Sequence, residues 1–241
     1  MPKKRSRKKL GTIGLAALAA VTLGAVAFTV ADGAARTQAQ AVSPQVQDYY
    51  EKNIKSPTAT PTTKPVTFAA VGDSVTEADS PDVINGVVGP GSWINYAAGS
   101  GVTYAGGWAD GGAQSARMAA NVKPVKADVL VIVAGTNDYG NSVPFKDSAA
   151  NITTIVNKVG VQRVLISAVP PSDKMPEEAA AYNEELKAFT ASKGWRWVDS
   201  SEKLRSQDNT FVQGMTKDGT HPTVEAARII GQTIRAALQQ A

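Results

Sequence analysis

Residues Asp128–Ala134, DVLVIVA, constrain the fold of this chain more than any other stretch. After the aspartate every residue is apolar and most are β-branched, so the segment reads as a strand with no face to offer water. Strands of that kind are covered on both sides, which calls for a parallel sheet between two layers of helices. Val66–Val71 (VTFAAV), Val161–Ala168 (VQRVLISA) and Trp195–Asp199 (WRWVD) read as further strands. Helical stretches are expected at about Ser115–Val122, Ser148–Val159, Glu177–Ser192 and Pro222–Leu238. The last places Val224, Ala227, Ile230, Ile234 and Leu238 at spacings of three and four, which make one buried face. Alternation of strand and helix predicts a three-layer α/β/α sandwich with a mainly parallel sheet. In such folds ligands lie beyond the carboxyl ends of the strands, and every motif must meet that condition.

The 241 residues, 43% of them apolar, suit one sizeable core rather than two. The net charge of +4 is misleading, because six bases fall within the first ten residues (Lys3, Lys4, Arg5, Arg7, Lys8 and Lys9) and the remainder carries about −2. A nucleic-acid footprint belongs on the folded domain, so nucleic acid is not an expected partner. The basic tip precedes Leu10–Val30, 21 uncharged and mostly apolar residues, with a small-residue cleavage candidate at Ala39-Gln40-Ala41. This reads as an export segment over residues 1–41, either a signal peptide or a membrane anchor, with the rest of the chain extracellular or at the cell surface. Residues 42–65 turn to Pro, Thr, Ser and Lys, a composition that cannot offset its own ordering entropy, and read as a stalk. Residues 66–241 form the expected catalytic-sized domain, a monomer.

There is no cysteine and only one histidine, His221. This removes thiolate chemistry and disulfides and makes a nitrogen/sulfur zinc site improbable, so neither metal nor cofactor is expected. Four motifs remain. Gly72-Asp73-Ser74 follows the first strand and sets a serine at the carboxyl edge, where a base can take its proton. Alone, it is equally an Asp/Ser turn. Gly135-Thr136-Asn137-Asp138 ends the strongest strand and presents a neutral amide donor, suited to an oxyanion, at the same edge. Alone, it too is an ordinary turn. In Asp218-Gly219-Thr220-His221-Pro222, the proline fits the first turn of the final helix, and Asp218 can bond one ring nitrogen while the other accepts a serine proton. The bland alternative is a surface histidine at a helix start. Gly111-Gly112-Ala113-Gln114-Ser115 opens a helix and offers glycine N–H groups to an anion.

Taken in order, these blocks resemble the SGNH hydrolase superfamily, also called GDSL esterases and lipases, from about Val66 to the C-terminus. The resemblance implies a flavodoxin-like three-layer fold and a serine esterase. It implies Ser74 as nucleophile, His221 as general acid and base, and Asp218 as the residue that orients it. The implied oxyanion donors are the backbone N–H groups of Ser74 and Gly112 and the side chain of Asn137. Two departures stand out: Val75 where many relatives have leucine, and Gly112-Ala113-Gln114-Ser115 where the family often has Gly-x-Thr-Thr. Gly106, Gly107 and Gly111 therefore stay open as alternatives to Gly112.

The expected substrate is a small-molecule or carbohydrate ester. The segment Asp79–Asp110 is glycine-rich and holds Trp93, Tyr96, Tyr104 and Trp108, which could form a rim stacking on sugar, although Trp93 and Tyr96 are read first as packing residues. An unperturbed imidazole titrates near pH 6.5, so activity should fall below about that pH. Two rivals are weighed. An α/β-hydrolase would carry Gly-x-Ser-x-Gly, but the position after Val75 is Thr76. A non-catalytic, surface-anchored binding domain would be expected to lack the serine, histidine or asparagine.

Overall fold

The computed structural model describes residues 65–240. The stretch read as an export segment (1–41) and all but the last residue of the one read as a stalk (42–65) lie outside the described residues. Among the described residues the elements run β1 (Val66–Gly72), α1 (Ser74–Glu77), α2 (Ile94–Ala97), β2 (Val102–Ala109), α3 (Ser115–Asn121), β3 (Val129–Val133), α4 (Thr136–Gly140), α5 (Phe145–Val159), β4 (Arg163–Ser167), α6 (Pro176–Ser192), β5 (Arg196–Val198) and α7 (Val224–Gln239). No helix among them is long and apolar enough to cross a membrane.

The five strands form one parallel sheet in the order β2-β1-β3-β4-β5. Side chains alternate across a strand, and here both sets are apolar. Ala69, Val71, Leu130, Ile132, Val164 and Ile166 face one core, closed by α3, α5 and α6. Phe68, Ala70, Val129, Val131 and Leu165 face a second, closed by α2 and α7. This is the expected α/β/α sandwich, and all of β3 is buried. The strand order reverses direction between β1 and β3. In sheets of this order the crevice at that switch point is where ligands bind.

Three local expectations are corrected. β2 falls inside the glycine-rich segment read as a rim, so part of that segment is an edge strand. Its Gly107 is required by packing, since a Cβ there would lie 1.9 Å from the Ala70 carbonyl oxygen. The glycine that made the segment look like loop is thus what lets the strand approach β1. Second, α7 starts at Val224, capped by Thr223 Oγ1 accepting from the Ala226 N–H. Pro222 stands before the cap, bridged to Thr216, and Val224 is 45% exposed, so Ala226 rather than Val224 completes the buried face. Third, α5 starts at Phe145, directly after Pro144, which holds the cap position.

Candidate active site

Gly72, the last residue of β1, pairs in register with Ala109 of β2 on one side and Val133 of β3 on the other. The three segments leaving those strands therefore emerge side by side at the carboxyl edge. They carry Asp73-Ser74, Asp110–Gly112 and Gly135–Asn137.

Ser74 opens α1, and its position is set by the residues around it. Asp73 caps that turn: its Oδ1 accepts the Val75 N–H at 3.0 Å. Behind it, the buried Trp93 donates its indole N–H to Thr76 Oγ1 at 3.0 Å, and Ser92 Oγ donates to the Thr76 carbonyl at 2.6 Å. Trp93 is therefore a packing residue, as expected, and it pins the turn that carries Ser74.

His221 reaches the same place from 147 residues away: its Nε2 lies 3.0 Å from Ser74 Oγ. Its Nδ1 lies 2.8 Å from Asp218 Oδ2. An ionised carboxylate only accepts, so Nδ1 carries the ring proton and Nε2 presents its lone pair to the serine hydroxyl. The loop that holds the pair is strongly cross-bonded. Asp218 Oδ1 accepts the N–H groups of Thr220 and His221, and Thr216 Oγ1 donates to the His221 carbonyl while accepting from the Gly219 N–H. Asp173 ties this loop to the segment after β4: its carboxylate accepts the Phe211 N–H, and its backbone N–H donates to the Gly219 carbonyl. The bonds to Asp218, led by that from the His221 backbone N–H, hold its carboxyl well below the usual carboxylate range. It stays ionised wherever His221 is neutral.

Asn137 sits at the start of α4, beyond β3. One N–H of its amide donates to the Ala113 carbonyl at 3.2 Å, which leaves the second free. Gly135 makes the turn possible with φ of +135°, and a Cβ there would lie 2.2 Å from the Tyr182 ring. The backbone N–H groups of Ser74 and Gly112 donate to no acceptor among the described residues. Of the alternatives left open for the glycine, Gly106 and Gly107 lie within β2, short of the edge. Gly111 and Gly112 lie beyond it.

Two carboxylates within these motifs have a part that sequence reasoning missed. Asp73 is 1% exposed, with Oδ2 unpartnered. Burial, reinforced by the nearby Asp138 charge against the pull of the Val75 amide and His221, pushes it up to about 6. Asp138, equally buried, accepts the Ser115 N–H at 3.0 Å and so ties the glycine loop to the asparagine loop. Burial pushes it up too, against the Ser115 amide and the neighbouring hydroxyls. The available signal was position: a carboxylate just beyond a strand that is buried on both faces is itself buried, or caps the next helix.

A serine, a histidine and an aspartate linked in series at the switch point of a doubly wound sheet, beside an amide donor, define an ester hydrolase of the SGNH type. The chain belongs to the GDSL-like Lipase/Acylhydrolase family, whose model matches residues 70–229. Solved structures share the fold at low identity. A GDSL-like lipase from Bacteroides thetaiotaomicron is 17% identical with a TM-score of 0.55, covering 80% of this chain and 97% of its own. A lipolytic G-D-S-L protein from Veillonella parvula is 17% identical with a TM-score of 0.54, covering 69% and 94%. A mutant of a Geobacillus acetyl-xylooligosaccharide esterase is 14% identical with a TM-score of 0.56, covering 73% and 95%. No curated protein sequence matches the chain.

Proposed function

We propose that this ester hydrolase acts outside the cytoplasm on small acyl groups carried by carbohydrate, through an acyl-enzyme on Ser74. The observation that carries the mechanism is the 3.0 Å contact between Ser74 Oγ and His221 Nε2, backed by the 2.8 Å bond from Nδ1 to Asp218. His221 takes the hydroxyl proton as Ser74 attacks the ester carbonyl. The tetrahedral oxyanion is held by the Ser74 and Gly112 N–H groups and by the free N–H of Asn137. The imidazolium, stabilised by ionised Asp218, then protonates the leaving alcohol. Water, deprotonated by His221, releases the acid by the same path.

Two observations support the substrate class. The site lies at an open edge, with the His221 side chain 42% exposed, so it admits a bulky alcohol. A fold relative is an acetyl-xylooligosaccharide esterase. The location rests on the basic tip, apolar run and Pro/Thr-rich stretch that precede the domain at residues 1–41 and 42–65. The domain of residues 66–241 would act as a monomer, exported and either released or anchored at the surface. The decisive test compares Ser74→Ala with the parent on p-nitrophenyl acetate, acetylated xylo-oligosaccharide and a long-chain ester. Loss of roughly 10³-fold or more on every ester the parent cleaves is expected, with the acetylated sugar preferred over the long chain. A Ser74→Ala protein that retains turnover would overturn the mechanism, and preference for the long chain would overturn the substrate class.

A further inference from the structure

Of the four aromatic residues in the Asp79–Asp110 segment, three are committed to the protein itself. Trp93 is buried and bonded to Thr76. The Tyr96 hydroxyl donates to the Pro90 carbonyl. Tyr104 donates to the Val83 carbonyl, and its ring packs 5.4 Å from that of Phe68. Trp108 differs. It stays half-buried, its indole N–H meets no acceptor among the described residues, and it lines a surface groove of about 500 Å³ with Ile84, Gly106, Gly107, Lys123 and Lys126.

The groove is lined by β2, one of the two edge strands of the sheet. Gly106 and Gly107, which carry no side chains, line it next to Trp108. Ile84, 50% exposed, lines it as well, together with Lys123 and Lys126. Both are outside the ion pairs of the described residues, although acids outnumber bases by 18 to 15 over residues 65–240. A partly exposed indole beside backbone without side chains suits the C–H face of a sugar ring, and two ammonium groups outside the ion pairs of the described residues suit anionic substituents. We infer that this groove is a glycan subsite for sugar chains that carry carboxylates or phosphates. The inference rests on the carbohydrate-ester reading above. β2 leads from the groove to the glycine loop, with Trp108 only four residues before Gly112, at most about 14 Å of extended chain. A glycan lying on Trp108 and following β2 would therefore bring its next residues to the edge where Ser74 stands.

Calorimetric titration of the full chain carrying Ser74→Ala, which cannot consume an ester, tests this with three oligomers of matched length. They are oligogalacturonate for carboxylate, a phosphorylated mannan oligosaccharide for phosphate, and neutral xylo-oligosaccharide. At least one anionic oligomer should bind, more tightly than the neutral one, and which of them binds identifies the anion. Adding Lys123→Ala with Lys126→Ala should weaken binding about tenfold, and raising salt from about 0.05 to about 0.5 M should weaken it similarly. Trp108→Ala should cost about tenfold more; because that ring also packs on the core, the lysine pair decides if this variant fails to fold. Equal binding of the neutral oligomer, binding that ignores the lysine pair, or no binding at all would overturn the subsite. None of these depends on turnover. Failure of the esterase reading shows separately, as p-nitrophenyl acetate hydrolysis that survives Ser74→Ala.

Discussion

Asp73 stands one residue before Ser74, buried, with a single backbone N–H on one oxygen and nothing on the other. Replacing it with asparagine keeps the Oδ1 acceptor for Val75 and removes only the charge. Burial lifts the carboxyl from an ordinary 3.8 to about 6. At about 1.36 kcal/mol per pH unit, this makes the protonated form contribute about 3 kcal/mol more to stability than the ionised one. The sign is fixed by which state binds the proton more tightly. A folded pKa raised above the unfolded one gives stability that is complete below pH 3.8 and is lost as pH rises through about 6. Asparagine imitates the protonated form at every pH. Asp73→Asn and the parent should therefore differ by a small constant near about pH 4. From about pH 4 to about pH 8 the variant should gain on the parent by about 3 kcal/mol, with most of the change below about pH 7. Asp138 titrates in the same direction, but it is present in both proteins and largely cancels in the comparison. Urea unfolding at intervals across that range reads the difference directly. Parallel stability curves for the two proteins would refute the assignment of a raised pKa to Asp73. A variant that loses ground as pH rises would show that its carboxylate is stabilised in the fold.

On the proposed mechanism Asn137→Ala should lower kcat by about 10²–10³ with little change in KM, because there its second N–H meets charge that develops only in the transition state; near-parental kcat in steady-state assays would remove it from the proposed oxyanion hole. Asp218→Asn should cost about 10⁴-fold, since an amide facing Nδ1 favours the wrong tautomer, and recovery to within about tenfold of the parent would contradict that role. As the parent's Asp218 remains ionised, log(kcat/KM) should fall with unit slope on the acid side, one proton at a time; a slope of two would reveal a second essential base. Gly135→Ala should destabilise the fold by about 3 kcal/mol or more, combining positive-φ strain with a clash against Tyr182. A melting temperature equal to the parent's would mean that the loop re-forms without cost.

The sheet was legible where burial is two-sided. Asp128–Ala134 reads as a buried strand because it is a short run of consecutive apolar, mostly β-branched residues that ends on a glycine turn. The blocks that meet at the candidate site were legible because each follows a strand or precedes a helix, and the lone histidine was the one imidazole that could stand beside Ser74. β2 was not legible: at an edge, only its two end residues are buried, and Gly107 serves a close approach that only the folded neighbour reveals. Nor was the burial of Asp73 and Asp138. A sequence gives the type of a side chain and its periodicity, but their burial depends on α1, α4 and the glycine loop closing over one edge together.

That joint closure is also why the buried acids fit this site in spite of their cost. The proposed mechanism asks three donors to converge on a single oxygen, yet they come from three loops that share no sequence. Asp73 fixes the first loop by capping α1 through Val75. Asp138 and Asn137 lace the second to the third, through the Ser115 N–H and the Ala113 carbonyl. A buried carboxylate bonded to a backbone N–H is stronger and more directional than a neutral acceptor, so a modest loss of stability at neutral pH is exchanged for loops that do not drift apart. The balance should differ for the two acids. Asp73 secures a turn already anchored by Trp93 and Thr76, whereas Asp138 is the direct link from α4 to the start of α3. The charge of Asp73 is therefore the more dispensable of the two, which is why it, and not Asp138, is the carboxylate whose neutralisation should stabilise the protein.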